Sequence, residues 1–226
     1  MNIKISKELS ALCPGATLMV LTYEAEVQES PAKLISLLDK TIDDLHRHYS
    51  MADISEFTHI KDTRTAYRQL GKSPTAYRNA AEAMLRRIVK GSGLYHINNV
   101  VEVNNYISIS TGYSVGSYDT DCLSGTVEWK RAPDGENYQG IGKDILNIEH
   151  LPTLYDENGA FGNPTSDSRR AMISLGKHRI MSVIYSFSGK HEFELISSQY
   201  QELLATYCVA KKIDVMIIDV MIIDGK

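Results

Sequence analysis

The order of periodic segments predicts an α+β fold in which helices and strands are segregated. Three observations carry this reading. A β-branched and aromatic run near the start is followed by two amphipathic helical patterns. From about residue 100 the signals become β-like and rich in turns, and one last helical pattern follows. Strictly alternating βαβ units, which would build a parallel sheet, do not describe this order.

Residues 17–27, TLMVLTYEAEV, form the first predicted strand. A helix follows, with Ser30 as its cap, Pro31 in its first turn, and Leu34, Leu37, Leu38, Ile42 and Leu45 on one face. The stretch GKSPTAYRNAAEAMLRRIVKG (71–91) predicts a second helix with Ser73 as N-cap and Pro74 at the first helical position. Tyr77, Ala81, Met84, Leu85 and Ile88 recur on its apolar face, and Gly91 ends it. In NNVVEVNNYISIST (98–111) the alternating valines favour a strand while the length permits a helix. Strand signals then recur in SGTVEWKR, DILNIEHLPTLYDENGAFG and HRIMSVIYSFSG. The last helix is SSQYQELLATYCVAKK, with Tyr200, Leu203, Leu204, Tyr207 and Cys208 inward. The tail DVMIIDVMIID (214–224) is a tandem duplication of β-forming residues, a terminal strand or an aggregation hazard.

With no composition break to mark a linker, the 226 residues are expected to form a single domain, 1–226. A content of 43% apolar and 23% charged residues belongs to a soluble globular protein. No apolar run reaches the roughly 20 residues needed to cross a bilayer, and the N-terminus lacks a signal-peptide core. A cytoplasmic location without membrane partners is therefore expected. Three separated cysteines argue against a disulfide framework.

Net charge is −4, yet residues 61–90 carry Lys61, Arg64, Arg68, Lys72, Arg78, Arg86, Arg87 and Lys90 against Asp62 and Glu82. That local +6 leaves −10 for the remainder. Such asymmetry suits a protein that meets a polyanion with one face. Arginines paired with carboxylates elsewhere in the fold would produce the same count.

Several motifs for common chemistry are missing: no HExxH, CxxC, phosphate-binding GxxxxGK[ST] or GxGxxG occurs. His46 and His48, two apart on a helix, point in different directions, so neither metal nor cofactor is expected. Cys122 reads as a small core residue rather than a nucleophile. Polar residues gather instead in TGYSVGSYDTD (111–121), APDGENYQGIG (132–142) and NGAFGNPTSDSRR (158–170). These residue types build turns on their own account, so only convergence of the three loops would make a site.

YRQLGKSPTAYRNAAEAMLRRIVKGSGLYHINNVVEVNNYISISTG, VGSYDTDCLSGTVEWKRAPDGE and GAFGNPTSDSRRAMI occur in this order, covering roughly 60–190. They resemble the B3/B4 domain of the phenylalanyl-tRNA synthetase beta subunit, and more closely free-standing proteins made of that domain. Residues 1–55, a strand and a helix, and the duplicated tail carry no matching motif. The resemblance implies a layered β/β/α fold with an unusual β-sandwich and packed helices, and a helix over NNVVEVNNYIS.

The resemblance also implies an editing module that hydrolyses tyrosine wrongly esterified to phenylalanine tRNA. It places Asp119, Thr165 and Asp167 as catalytic residues and Asn105, Glu136 and Ser166 as substrate-binding residues. Arg64, Arg68, Lys72, Arg78, Arg86, Arg87 and Lys90 would then face tRNA, with no DNA partner expected. Two departures bear on specificity: Val101-Glu102 replaces the family's Val-Asp, and the 160–168 loop has the shorter, free-standing form. The sequence has no ATP site, so amino-acid activation is excluded. An aminoacyl ester is already activated, so hydrolysis chiefly requires positioning of ester and water. The expected function is trans-acting deacylation of mischarged tRNA. The alternatives are a non-catalytic module binding tRNA or an amino acid, and an accessory subunit binding an acidic protein surface.

Overall fold

The computed structural model describes residues 1–142 and 144–219. The second copy of the duplicated tail, 220–224, lies outside them. In chain order the elements are β1 (Ile3–Ile5), α1 (Lys7–Leu12), β2 (Thr17–Val27), α2 (Ala32–His48), α3 (Thr58–Gln69), α4 (Ala80–Val89), α5 (Asn99–Thr111) and β3 (Ser114–Asp119). There follow β4 (Val127–Arg131), β5 (Asn137–Gln139), β6 (Ile145–Asn147), β7 (Pro152–Asp156), β8 (Gly159–Gly162), β9 (Gly176–Ser186), α6 (Phe193–Cys208) and β10 (Lys211–Asp219).

Two four-stranded sheets, ordered β1-β4-β7-β8 and β10-β2-β9-β3, pack face to face, and a β5-β6 hairpin stands apart. Alternation along β2 and β9 explains the layering. Leu18 and Val20 of β2, with Met181, Val183 and Tyr185 of β9, meet Trp129, Leu154 and Phe161 of the other sheet. Their neighbours Met19, Leu21, Tyr23, Ile180 and Ile184 face Val100, Val103 and Ile107 of α5 and Phe193, Tyr200 and Leu204 of α6. Strands buried on both faces thus create the β/β/α arrangement.

Several local expectations are corrected. Ser30 does not cap α2; Pro31 occupies that position without a side-chain bond, and the Ser30 hydroxyl is bound to Glu102. Glu102 is fully buried, and its other oxygen accepts the Ile97 N–H at 2.6 Å. The second predicted helix begins at Ala80, with Asn79 as cap. Ser73 and Pro74 belong to a separate turn, closed by the Tyr77 N–H on the Ser73 carbonyl at 2.9 Å. Within 98–111 the chain is helical over Asn99–Thr111, capped by Asn98 and ended by Gly112 at φ 81. The last helix starts at Phe193 and ends at Cys208, because Val209 turns left-handed and 211–219 becomes β10.

Candidate functional site

The three polar loops meet, and tyrosines join them. From β3, the Tyr118 hydroxyl donates to Asp167 Oδ1 at 2.7 Å and lies 2.6 Å from the Tyr185 hydroxyl. From the second loop, Tyr138 donates to the Ser166 carbonyl and accepts from Asn163 Nδ2 at 2.6 Å. The Ile141 N–H binds the Asp167 carbonyl at 3.0 Å. Asn163 ties the third loop to itself: its Oδ1 accepts the N–H groups of Thr165 at 2.8 Å and Ser166 at 3.1 Å. Gly116 and Gly162 flank the Tyr118 hydroxyl so closely that a β-carbon at either would overlap it. Burial pushes the Asp167 carboxyl up to about 7, against the donations from Tyr118 and the Asn163 N–H.

Thr165 sits at the outer end of this network, its Oγ1 2.8 Å from the Tyr67 hydroxyl of α3. It lines a cavity of about 580 Å³ whose other walls include Tyr77, Arg78, Arg86, Arg87, Lys90 and Leu146. The basic helix is tied to the polar loop, because the Ala80 N–H at the start of α4 donates to the Pro164 carbonyl at 2.7 Å. The Asn79 side chain caps the Glu82 N–H at 2.8 Å.

Glu82, fully buried on α4, organises the basic residues. Arg64 Nη1 reaches its two oxygens at 2.9 and 3.1 Å, Arg86 Nε binds at 2.7 Å, and Arg78 Nε lies 3.7 Å away. A buried carboxylate requires such partners, and three cations around one anion leave a positive surplus. Arg64 is therefore turned inward, a correction to its expected outward role. Lys72 is also corrected: it is 8% exposed, its ammonium donates to Asn147 Oδ1 at 3.0 Å and stacks over Tyr77. Burial lowers its pKa. Arg87 donates to the Gly93 carbonyl at 2.7 Å and covers the Tyr95 ring, while Arg68 and Lys90 are exposed.

Asp119 is not part of this network. It follows Tyr118 on β3 and so points to the opposite face, where His178 Nδ1 holds it at 2.7 Å. Glu136 sits half-buried at the base of the hairpin, beside Tyr155, whose buried hydroxyl has no hydrogen-bond partner among the described residues. Asn105 takes no part in the hydrogen bonds that join the loops; its neighbour Asn104 binds Ser117 Oγ at 2.8 Å in the helix–sheet core. Ser166 contributes its backbone, donating to Asn163 and accepting from Tyr138. Cys122 is exposed, not a core residue. Asp134, Glu149 and His150 place three ligand-type atoms within 4.8 Å of one another, a grouping that sequence spacing did not reveal. Asn163, Tyr67, Tyr118 and Tyr138 were also missed. Tyrosines read as core residues in a sequence, and the signal available for Asn163 was only the turn-forming Asn-Pro pair.

The B3/4 domain model matches residues 62–201. Similar curated proteins are phenylalanine–tRNA ligase beta subunits. That of Streptococcus pneumoniae is 28% identical over 110 residues, 47% of this chain and 14% of that protein. That of Neisseria meningitidis serogroup A is 27% identical over 77 residues, 34% and 10% respectively. That of Cutibacterium acnes is 33% identical over 73 residues, 31% and 9% respectively. The matched segments thus span about a tenth of these relatives. An N-terminal fragment of the phenylalanyl-tRNA synthetase beta subunit from Pyrococcus horikoshii shares the fold, with a TM-score of 0.51 at 11% identity. That match covers 93% of this chain and 49% of the fragment.

Proposed function

Because this chain belongs to the B3/4 domain family, we propose that it hydrolyses the ester of mischarged aminoacyl-tRNA in the cavity between α4 and loop 163–167. One observation carries this reading: Thr165 lines the same cavity as Arg78, Arg86, Arg87 and Lys90. A charged surface for phosphates and a fixed hydroxyl for the acyl end then lie within one cavity.

Each residue has a distinct role in this reading. Arg87 and Lys90, with the outward parts of Arg78 and Arg86, take the phosphates of the RNA end. Thr165, held by Tyr67 and by the Asn163-anchored turn, orients the ester or the attacking water. Asp167 is enclosed by Tyr118 and the Asn163 N–H, so it positions the loop rather than touching the ester. Glu136, half-buried beside Tyr155, is the carboxylate offered to a polar substrate side chain. The ester supplies the driving force, and the protein supplies orientation and oxyanion donors.

The test is deacylation of a panel of correctly and wrongly charged tRNAs by the purified protein. A mischarged species should be cleared, and Thr165→Ala should slow that clearance roughly 10²-fold under conditions where the variant, weakened by loss of the Tyr67 bond, is still fully folded. Binding of tRNA without turnover of any charged species would make the protein a binding module instead.

A further inference from the structure

Away from that cavity, on the other face of β3, three side chains are arranged in a line. His178 Nδ1 lies 2.7 Å from Asp119 Oδ2, and His178 Nε2 lies 3.4 Å from Ser174 Oγ. The two ring nitrogens are thus divided between a carboxylate and a hydroxyl. We propose that Ser174, His178 and Asp119 form a second nucleophilic site, independent of the first, that hydrolyses small carboxylic esters.

The order of contacts is the one nucleophilic catalysis needs. A carboxylate on Nδ1 selects the tautomer with hydrogen there, which leaves the Nε2 lone pair facing the serine hydroxyl. Asp119 is itself fixed, because its second oxygen accepts the Asp121 N–H at 3.0 Å. His178 is held in the β2–β9 ladder opposite Ala25. Asp119 and His178 are mostly enclosed, whereas Ser174 is exposed on the turn entering β9, where a substrate can reach it. Gly176, at φ 124, takes a conformation there that residues with a β-carbon avoid. The serine–histidine separation falls in the looser range of unliganded sites. Beside His178 lies a cleft of about 430 Å³, lined by Ala25 and Val209 and by the charged side chains of Glu24, Glu26, Lys177 and Lys211.

In the reaction, Ser174 Oγ adds to the carbonyl carbon as its proton passes to His178 Nε2. The tetrahedral adduct collapses by breaking the bond to the alcohol oxygen, and the alcohol leaves with that proton. Water then adds to the acyl-serine, giving a proton to His178, and the carboxylic acid departs as Ser174 regains its hydrogen. Asp119 stabilises the imidazolium whenever His178 holds the transferred proton.

The experiment treats the full chain with a fluorophosphonate probe, maps the adduct by mass spectrometry, and follows p-nitrophenyl acetate hydrolysis. The expected results are a label on Ser174, its loss in Ser174→Ala, and a fall in hydrolysis of roughly 10²-fold or more in Ser174→Ala and His178→Gln. Ser174→Ala alters an exposed turn, so its melting should be unchanged, and Asp119→Asn supplies a second partner variant if His178→Gln does not fold. Deacylation of aminoacyl-tRNA should be untouched by Ser174→Ala, which separates this site from the first. An unlabelled Ser174 in the wild type, or undiminished labelling once its folded partner variants are made, overturns the proposal.

Discussion

Asp167→Asn keeps the shape of a buried side chain and removes its charge. In the folded protein the Asp167 carboxyl holds its proton up to about 7, against an ordinary value of 3.8. Between those values the folded chain binds more protons than the unfolded one, so wild-type stability falls as pH rises through the window. The contribution is fully present below 3.8 and lost above about 7. At about 1.4 kcal/mol per pH unit the whole loss is about 4 kcal/mol, of which roughly 2.5 kcal/mol falls between about pH 5 and about pH 8. The asparagine lacks this titration, while its carbonyl oxygen can still accept from Tyr118 and the Asn163 N–H. Urea unfolding of both proteins across that range is the assay. The variant should gain on the wild type by roughly 2.5 kcal/mol from the acid to the alkaline end. A difference that stays flat with pH would refute the enclosed, proton-holding carboxyl.

Glu82→Ala should destabilise the protein by about 3–5 kcal/mol, because Arg64 and Arg86 lose a buried partner; chemical denaturation measures this, and a loss under about 1 kcal/mol would mean the arginines resolvate freely. The logarithm of tRNA affinity should fall linearly with the logarithm of salt, and replacing Arg87 and Lys90 with alanine should flatten that slope by roughly one to two units. Arg64→Ala, whose guanidinium faces Glu82, should leave the slope alone and lower the melting temperature; equal slopes in all three proteins would move the RNA surface elsewhere.

How far the sequence could be read depended on how local each signal was. The strand 17–27 was legible to the residue because β-branched and aromatic side chains fill both of its faces. The same kind of double burial made 98–111 ambiguous: α5 is packed on several sides, so its valines show no single apolar stripe. The family resemblance, not periodicity, identified that helix. The start of α4 was misread because Ser73-Pro74 offers a good local cap, while the true start combines the Asn79 cap with a bond to the Pro164 carbonyl, far away in sequence. Counting charge found the basic segment but could not show that Glu82 is buried and draws Arg64 inward. Convergence of the polar loops was legible as a condition; the tyrosines that meet it were not. The resemblance placed Asp119 with Asp167 around one cleft, yet strand alternation sends it the other way.

That alternation has a consequence for how β3 tolerates change. Tyr118 and Asp119 are consecutive, and one is bound to Asp167 while the other is bound to His178. Inserting or deleting a single residue between Gly116 and Tyr118 would rotate both side chains to the wrong faces at once. A deletion would bring the aspartate to the carboxyl of Asp167, and an insertion would push the phenol against the imidazole. In this chain the residue count of β3 is therefore more tightly constrained than the identity of its half-buried side chains.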